Sequence, residues 1–348
     1  MKTNAAKNIS LVLISLLISG CIFETIARKF LHVSEHWPNN SYWMQQKWLD
    51  NHPEKNANAT NYSIDKYDSL LGWKPVENLH HVEVSPGWSV STNSKGIRGS
   101  TEYNDGKSNK LRIVTIGDSF TFGECVNDNE TFPAVLETLL DSVEVINLAV
   151  HGYGHDQQLL RLINEGLAYQ PDIVLLGFLN DDIDRNELTF RDFAKPYFVL
   201  QSDTIKLEGV PVPTPDFFKN QFHLKSWGLM RCAFIEQTES NTGFTHSTIS
   251  KKILDELVSV AQHTGAKFVS VYLPWQNECE QNKPGHHPLF DSLGIHLNAT
   301  LIDPTESIHR FLQNEKDVNK HFSCHYSPQV NRIIAEQIAA TIKTTKTL

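Results

Sequence analysis

The sequence predicts an α/β fold in which a parallel β-sheet carries helices on both faces. Short runs of apolar, often β-branched residues recur along the chain, and segments with apolar residues at helical spacing lie between them. Such alternation implies parallel pairing of strands through right-handed crossovers. The predicted strands are 111–116, 143–147, 173–177, 267–273 and 300–302. The predicted helices are 132–140, 159–167, 253–261 and 330–342.

Length and composition restrict the class of protein. The chain has 348 residues, of which 40% are hydrophobic and 20% are charged, which is enough for one large α/β domain with additional segments. The net charge of −9 argues against a nucleic-acid-binding protein, since such proteins are usually basic. We therefore expect no nucleic-acid partner.

Residues 1–27 have the features of a signal peptide or membrane anchor. Lys2 and Lys7 precede an apolar run over 9–23, which is short for a bilayer span and typical of a signal-peptide core. The run 18–21 resembles the lipobox of bacterial lipoproteins, which makes Cys21 a lipidation candidate. The alternative is an uncleaved anchor that continues to residue 27. Both hypotheses place the rest of the chain outside the cytoplasm, in the periplasm or at the cell surface, and tether it to a membrane.

Two segments interrupt the α/β pattern. Residues 28–110 are polar, with scattered tryptophans, and are predicted to be a membrane-proximal stalk or wrapping segment. The α/β domain is predicted to span 111–345, with an insertion at about 191–243. Within the insertion, 197–201 and 204–207 flank a short polar turn and indicate a β-hairpin, which we interpret as part of a lid.

Residues suited to acyl transfer lie near the predicted strand ends. Gly117-Asp118-Ser119 follows the first strand, Gly152 follows the second, and Asn180 follows the third, while His325 precedes the last helix. In open α/β sheets, ligands bind outside the carboxyl ends of the strands. A serine nucleophile, a histidine base and amide donors together can carry out acyl transfer. Taken singly, each residue is equally compatible with a helix cap or a turn.

With these residues in this order, the chain resembles the SGNH/GDSL hydrolases of the membrane-tethered bacterial type. The resemblance extends over about 67–342 and includes the segments 72–73, 93–99 and 181–186. It implies a three-layer, flavodoxin-like fold with a five-stranded parallel sheet.

The resemblance also implies a role for each candidate residue. Ser119 would be the nucleophile and His325 the general base. The backbone N–H groups of Ser119 and Gly152, together with the Asn180 side chain, would form the oxyanion hole.

The chain departs from the family pattern just before the histidine. The family places an aspartate two or three residues earlier, where this sequence has Ser323 and Phe322. A backbone carbonyl could orient the His325 imidazole instead, or Asp303 or Asp317 could do so. A third explanation is a weakened or inactive site. We favour a working site, because loss of the aspartate alone can cost less than loss of the serine or histidine.

Cysteine usage is compatible with an oxidising compartment. Apart from Cys21, the chain has an even number of cysteines, which would allow two disulfides: Cys125, Cys232, Cys279 and Cys324. Cys125 closely follows the predicted nucleophile, and Cys324 is adjacent to the predicted base. We therefore predict at least one disulfide that braces the site. The alternative is that these cysteines are unpaired, small buried residues.

No cofactor or metal is expected. His321, Cys324 and His325 could be metal ligands, but a zinc site needs three or four ligands and the sequence offers no clear partner. The glycines at 152 and 154 do not complete a dinucleotide fingerprint.

The sequence therefore predicts serine-dependent hydrolysis of a carboxylic ester that carries a small acyl group. Trp275 follows the fourth strand, where it could stack on a sugar ring or simply pack at the rim. We expect an acylated small molecule or glycan as the substrate. The alternatives are a glycan O-acyltransferase that uses the same site, and a non-catalytic glycan-binding relative.

Overall fold

The computed structural model describes residues 2–30, 40–51, 63–220, 224–228 and 243–344. The helices are α1 (Lys2–Phe30), α2 (Ser41–Asn51), α3 (Ser119–Phe122), α4 (Phe132–Leu139), α5 (His155–Asn164), α6 (Asp181–Arg185), α7 (Pro215–Asn220), α8 (Gly243–His263), α9 (Gln276–Gln281), α10 (Pro288–Leu297), α11 (Thr305–Leu312) and α12 (Pro328–Thr344). The strands are β1 (Asp65–Asp68), β2 (Gly72–Pro75), β3 (Val82–Ser85), β4 (Trp88–Val90), β5 (Leu111–Ile116), β6 (Val143–Asn147), β7 (Ile173–Phe178), β8 (Tyr197–Gln201), β9 (Thr204–Glu208), β10 (Lys267–Tyr272) and β11 (Thr300–Ile302). Short 3₁₀ helices cover Asp128–Glu130, Gly166–Tyr169 and Asn319–His321.

A five-stranded parallel sheet forms the centre of the protein. Its strand order is β11-β10-β7-β5-β6, and every neighbouring pair is parallel. The first of these strands in the chain, β5, therefore lies between the second and the third, which is the flavodoxin-like order. The predicted fold class is confirmed, and the five predicted strands agree with the observed ones to within one residue at each end.

Helices cover both faces of this sheet, which explains why its strands are almost continuously apolar. On one face, α5 and α8 bury Leu159, Leu162 and Leu257. On the other face, α4 and α12 pack against each other and bury residues that include Leu136 and Ile334. The apolar spacing that predicted these helices is therefore the spacing of their sheet-facing residues.

Residues 63–110 pack into the same core. The segment forms two small antiparallel pairs, β1–β2 and β3–β4. The Trp73 indole is fully buried, packs edge-to-face on Tyr153, and donates a hydrogen bond of 3.1 Å to the His151 carbonyl. Ile97 and Trp48 belong to the same core cluster. The segment assigned to the membrane-proximal region thus contributes core residues to the α/β unit.

The insertion contains the predicted hairpin, formed by β8 and β9 in antiparallel pairing. This hairpin packs against α8, and β8 also contacts α5, so it extends the helical layer on one face of the sheet. Lys195, just before the hairpin, forms a fully buried ion pair with Asp156 of α5. Cys232 of the insertion lies outside the described residues.

The N-terminal helix contains a segment of 23 residues, Lys7–Lys29, that is long and apolar enough to cross a membrane, with a mean hydropathy of 2.2. This segment is longer than the apolar run read from the sequence, because the helix continues past residue 23. Near its end, Glu24 accepts hydrogen bonds from the backbone N–H groups of Lys225 and Ser226, each of 2.9 Å. A signal sequence near the N-terminus meets the same criteria of length and composition.

We predict that the α/β unit needs residues 63–110 for its stability. Trp73→Ala should lower the free energy of unfolding by about 3–5 kcal/mol, since it removes a fully buried aromatic side chain. Urea unfolding followed by circular dichroism measures this change. The exposed Trp227 provides a matched control, and Trp227→Ala should change the free energy by less than about 1 kcal/mol. Equal effects of the two substitutions would contradict the role given to Trp73.

Candidate active site

The turn after β5 leaves the Ser119 hydroxyl available at the carboxyl edge of the sheet. Asp118 caps the short helix α3, because its Oδ1 accepts a 3.0 Å hydrogen bond from the Phe120 N–H. Gly123 ends this helix with a φ of +85°, which favours glycine. Asp118 therefore supplies the cap, and Ser119 is free for other chemistry.

Ser119 and His325 meet although 206 residues separate them. The Ser119 Oγ lies 2.8 Å from the His325 Nε2, within hydrogen-bonding distance. The Phe120 ring packs on the imidazole with centroids 4.5 Å apart, and the neighbouring Tyr326 hydroxyl donates to the Pro274 carbonyl at 2.7 Å. The predicted nucleophile and base are thus brought together in the arrangement that a serine hydrolase requires.

The buried Arg185 binds the turn that carries Ser119. The Nη1 of Arg185 donates to Asp118 Oδ2 at 2.9 Å, to Asp182 Oδ1 at 2.6 Å and to the Tyr153 carbonyl at 3.2 Å. Burial acts to lower the pKa of Arg185, but the charges of Asp182 and Asp118 outweigh this and raise it. The guanidinium therefore stays charged and joins segments that follow three different strands.

Gly152 is required by both its conformation and its surroundings. Its φ is +73°, and a Cβ at this position would lie 1.9 Å from Asp192 Oδ2. Within the described residues, the N–H groups of Ser119 and Gly152 donate to no other protein atom. Both groups are therefore available to a substrate oxygen.

The Asn180 side chain forms hydrogen bonds with the segment before α10. Its Nδ2 donates to the Gly285 carbonyl at 2.9 Å and to the Tyr272 hydroxyl at 3.3 Å, and its Oδ1 accepts from the His287 N–H at 2.9 Å. Because both amide hydrogens already have acceptors, Asn180 could act as an oxyanion donor only after it released one of them.

Trp275 lies at the rim of the site. It is 40% exposed, and its indole packs edge-to-face on Phe120, with ring centroids 5.4 Å apart. Phe120 in turn contacts His325, so Trp275 stands one aromatic ring away from the base. This position is compatible with either contact to a substrate ring or simple packing at the rim.

The second imidazole nitrogen of His325 faces a carboxylate that the sequence did not suggest. Its Nδ1 lies 3.6 Å from Oε2 of Glu124, a side chain that is almost fully buried. Asp303 and Asp317 are exposed and bond the nearby backbone N–H groups of Thr305 and Asn319. Among the described residues, the carboxylate within 4 Å of the His325 imidazole is thus Glu124 and neither of the two aspartates considered from the sequence.

A disulfide joins the segments that carry the nucleophile and the base. Cys125 and Cys324 are bonded, with their Cα atoms 6.3 Å apart, and the Cys324 sulfur lies 3.5 Å from the His325 Nδ1. The prediction of a bracing disulfide is confirmed. Cys279 is unpaired and buried, which agrees for this residue with the alternative prediction of unpaired, small buried cysteines.

On the side away from His325, Glu124 is followed by two more buried ionisable side chains, His151 and Asp65. Its Oε1 lies 3.8 Å from the His151 Nδ1, and the His151 Nε2 pairs with Asp65 of β1. Burial acts to lower the pKa of His151, but the charge and hydrogen bond of Asp65, and the charges of Glu124 and Asp192, raise it to about 9. His151 is therefore protonated at neutral pH.

A cavity of about 630 Å³ opens beside the disulfide and Glu124. The tip of the β3–β4 hairpin forms one wall, and segments next to the nucleophile and the base form the other. The lining residues are Ser63, Val84, Ser85, Pro86, Gly87, Trp88, Glu124, Cys125, Ser323 and Cys324. Hydroxyl groups, one carboxylate and one indole thus surround a space large enough for a small ligand.

The sequence did contain one signal for Glu124. The residue is adjacent to Cys125, and a disulfide between Cys125 and Cys324 necessarily brings it close to His325. His151, Asp65 and Arg185 had no such signal, because only tertiary packing brings them together.

Comparisons with known proteins identify similar folds at low identity. No family model matches the sequence, and no curated protein matches it. An acetylxylan esterase from Geobacillus stearothermophilus is 13% identical, with 70% of this chain and 96% of that chain covered and a TM-score of 0.42. A psychrotrophic esterase from Pseudoalteromonas is 14% identical, with 69% and 100% covered and a TM-score of 0.41. A lipolytic G-D-S-L family member from Veillonella parvula is 11% identical, with 67% and 98% covered and a TM-score of 0.39.

The disulfide should contribute to the stability of the protein. Replacing Cys125 and Cys324 together by serine should lower the free energy of unfolding by about 3–5 kcal/mol, since the bond closes a loop with a sequence separation of 199. Chemical denaturation of the oxidised protein and the double variant measures this difference. Cys279→Ser serves as the unpaired control. A non-reducing mass measurement that finds both thiols free would contradict the pairing.

His151 should make the stability depend on alkaline pH. Its folded-state pKa of about 9 lies above the unfolded value of about 6.5, so its contribution is complete below pH 6.5 and is lost as the pH rises through 9. The loss should be about 3 kcal/mol across this window. Asp65, Glu124 and Asp192 are the acidic groups that face His151. Urea denaturation at a series of pH values should show this slope in the wild type. An identical slope in His151→Asn would contradict the assignment.

Proposed function

We propose that this protein is an SGNH/GDSL-type hydrolase that cleaves carboxylic esters through a serine nucleophile. The observation that carries the proposal is the 2.8 Å contact between the Ser119 Oγ and the His325 Nε2 at the carboxyl edge of the sheet. The alternative role of Ser119, as a helix cap, does not account for this contact, because Asp118 caps the helix. The order of Gly117-Asp118-Ser119, Gly152, Asn180 and His325 along the chain, which is the order of the family's motifs, supports the same conclusion.

In the first half of the reaction, the Ser119 Oγ attacks the carbonyl carbon of the ester. The His325 Nε2 accepts the hydroxyl proton and then gives it to the departing alcohol. The product of this half is an acyl group esterified to Ser119. In the second half, His325 takes a proton from water, which attacks the acyl carbon. The ester bond to Ser119 then breaks, His325 returns the proton to the Ser119 Oγ, and the acid is released.

The oxyanion that forms in each half needs hydrogen-bond donors. The N–H groups of Ser119 and Gly152 are available, and Asn180 is the third donor implied by the family pattern. Losing one such donor typically costs about 10²–10³ in turnover. Because Asn180 bonds Gly285 and Tyr272, its use as a donor requires it to release one of these two acceptors when substrate binds.

The substrate that we propose is an O-acylated, extracytoplasmic molecule, with acylated glycans as the first class to test. The N-terminal helix is compatible with membrane attachment or secretion. The exposed Trp275 at the rim and the hydroxyl-rich cavity beside the disulfide suit a sugar ring and its hydroxyl groups. One of the structural neighbours is an acetylxylan esterase, which makes small acyl groups on polysaccharides a reasonable first panel.

Hydrolysis of a short-chain activated ester tests the nucleophile. Ser119→Ala should lower kcat by at least about 10⁴-fold, because the attacking atom is removed. Ser100→Ala is the matched control, since Ser100 is an exposed serine outside the cavity lining, and it should keep most of the activity. The same assay with an acceptor sugar distinguishes hydrolysis from transfer. Undiminished activity of Ser119→Ala would refute the proposed mechanism.

A further inference from the structure

We propose that Glu124 is the positioning residue of His325, replacing the aspartate that is missing just before His325 in the sequence, and that His151 and Asp65 hold Glu124 in place. This inference rests on the proposed function, because it assigns a partner to the same catalytic base. The resulting chain of contacts runs from Ser119 through His325, Glu124 and His151 to Asp65.

The two oxygens of Glu124 face two different imidazoles. Oε2 lies 3.6 Å from the His325 Nδ1, and Oε1 lies 3.8 Å from the His151 Nδ1. Both contacts are longer than hydrogen bonds, but catalytic contacts are often long without substrate and shorten in the reacting complex. The carboxylate therefore bridges the catalytic histidine and a second, structural histidine.

Glu124 is a stronger partner for His325 than the neighbouring disulfide. The sulfurs of Cys324 and Cys125 lie 3.5 Å and 4.0 Å from the His325 Nδ1, but sulfur is a weak acceptor. A carboxylate favours the tautomer with the proton on Nδ1, which leaves Nε2 free to accept the Ser119 proton. It also stabilises the imidazolium that forms once that proton has moved.

Two buried, positively charged side chains lie around Glu124. His151 on one side and Arg98, whose electrostatic surroundings include Glu124, supply positive charge. Arg98 is itself bound to Asp128, with 3.0 Å between its Nε and Oδ1, and His151 is paired with Asp65. Each cation is therefore paired with a carboxylate of its own, and the Glu124 Oε2 faces the His325 Nδ1.

This arrangement gives the N-terminal segment a role in catalysis. Asp65 and Arg98 both lie in residues 63–110, ahead of the first strand of the central sheet. An aspartate close to the histidine in sequence needs no such support. A glutamate that follows the nucleophile must be fixed by groups from elsewhere in the fold, and the disulfide next to it adds a covalent restraint.

Steady-state kinetics of Glu124 variants tests the role against a matched acidic control. Glu124→Gln should lower kcat on an activated ester by about 10²–10⁴-fold, with KM changed by less than about threefold, because positioning acts on the chemical step. Glu124→Asp should fall between the wild type and Glu124→Gln. Asp317→Asn should keep kcat within about twofold, since the bond that Asp317 makes among the described residues is to the Asn319 N–H of its own turn. A kcat of Glu124→Gln within about threefold of the wild type would overturn the proposal.

Chemical rescue separates a positioning role from a structural one. The cavity opens onto Glu124, so formate should reach the space left in Glu124→Ala and raise kcat by at least about tenfold. The same formate concentration should leave Asp317→Asn unchanged. If Glu124→Gln and Glu124→Ala do not fold, the kcat of Glu124→Asp tests the proposal by itself. Wild-type kcat in Glu124→Asp, at an unchanged melting temperature, would then count against the proposal.

Nitrogen NMR of histidine-labelled protein tests the contact without any turnover. In the wild type, neutral His325 should carry its proton on Nδ1, and Glu124→Ala or Glu124→Asp should shift the population towards the Nε2–H tautomer. Identical tautomer populations would overturn the positioning role even for an active enzyme. If the wild type hydrolyses no ester and yet shows this tautomer change, the proposed function fails while the contact to Glu124 stands.

Discussion

The buried guanidinium of Arg185 is the constraint on which the candidate site depends. It bonds Asp118 at the end of β5, the Tyr153 carbonyl beyond β6, and Asp182 beyond β7. The carboxyl ends of these neighbouring strands are thereby joined by one cation. Removing one partner of such a buried ion pair typically costs about 3–5 kcal/mol, so the nucleophile turn is held far more firmly than a surface loop would be.

The base is held by a different set of interactions. His325 lies in the turn before α12, where Phe120 packs on its ring and the disulfide from Cys324 reaches back to Cys125. The N-terminal segment completes the site through Asp65, which reaches Glu124 by way of His151. A site built from such distant parts of the chain needs the whole fold, which explains why residues 63–110 are packed in the core rather than standing apart from it.

The sequence predicted the sheet well, because strands buried on both faces have an unmistakable apolar pattern. It also placed Ser119 at the carboxyl edge of the sheet, since the position of strand ends follows from the topology. His325 was assigned to the same site through the family resemblance. The partner of His325 was not predictable in this way. Glu124 reaches the imidazole only because a disulfide and a buried histidine fix its segment, and such long-range packing leaves no periodic signal in the sequence. The hydrogen bonds of Asn180 were hidden for the same reason.

We propose above all that Ser119 is a nucleophile activated by His325. The most direct measurement is peptide mapping by mass spectrometry after reaction with a fluorophosphonate, which modifies activated serines. We predict one adduct per protein molecule on Ser119 in the wild type, and labelling at least about 10³-fold slower in His325→Ala, because the hydroxyl then has no base. An adduct on a different residue, or equally fast labelling without His325, would contradict the claim.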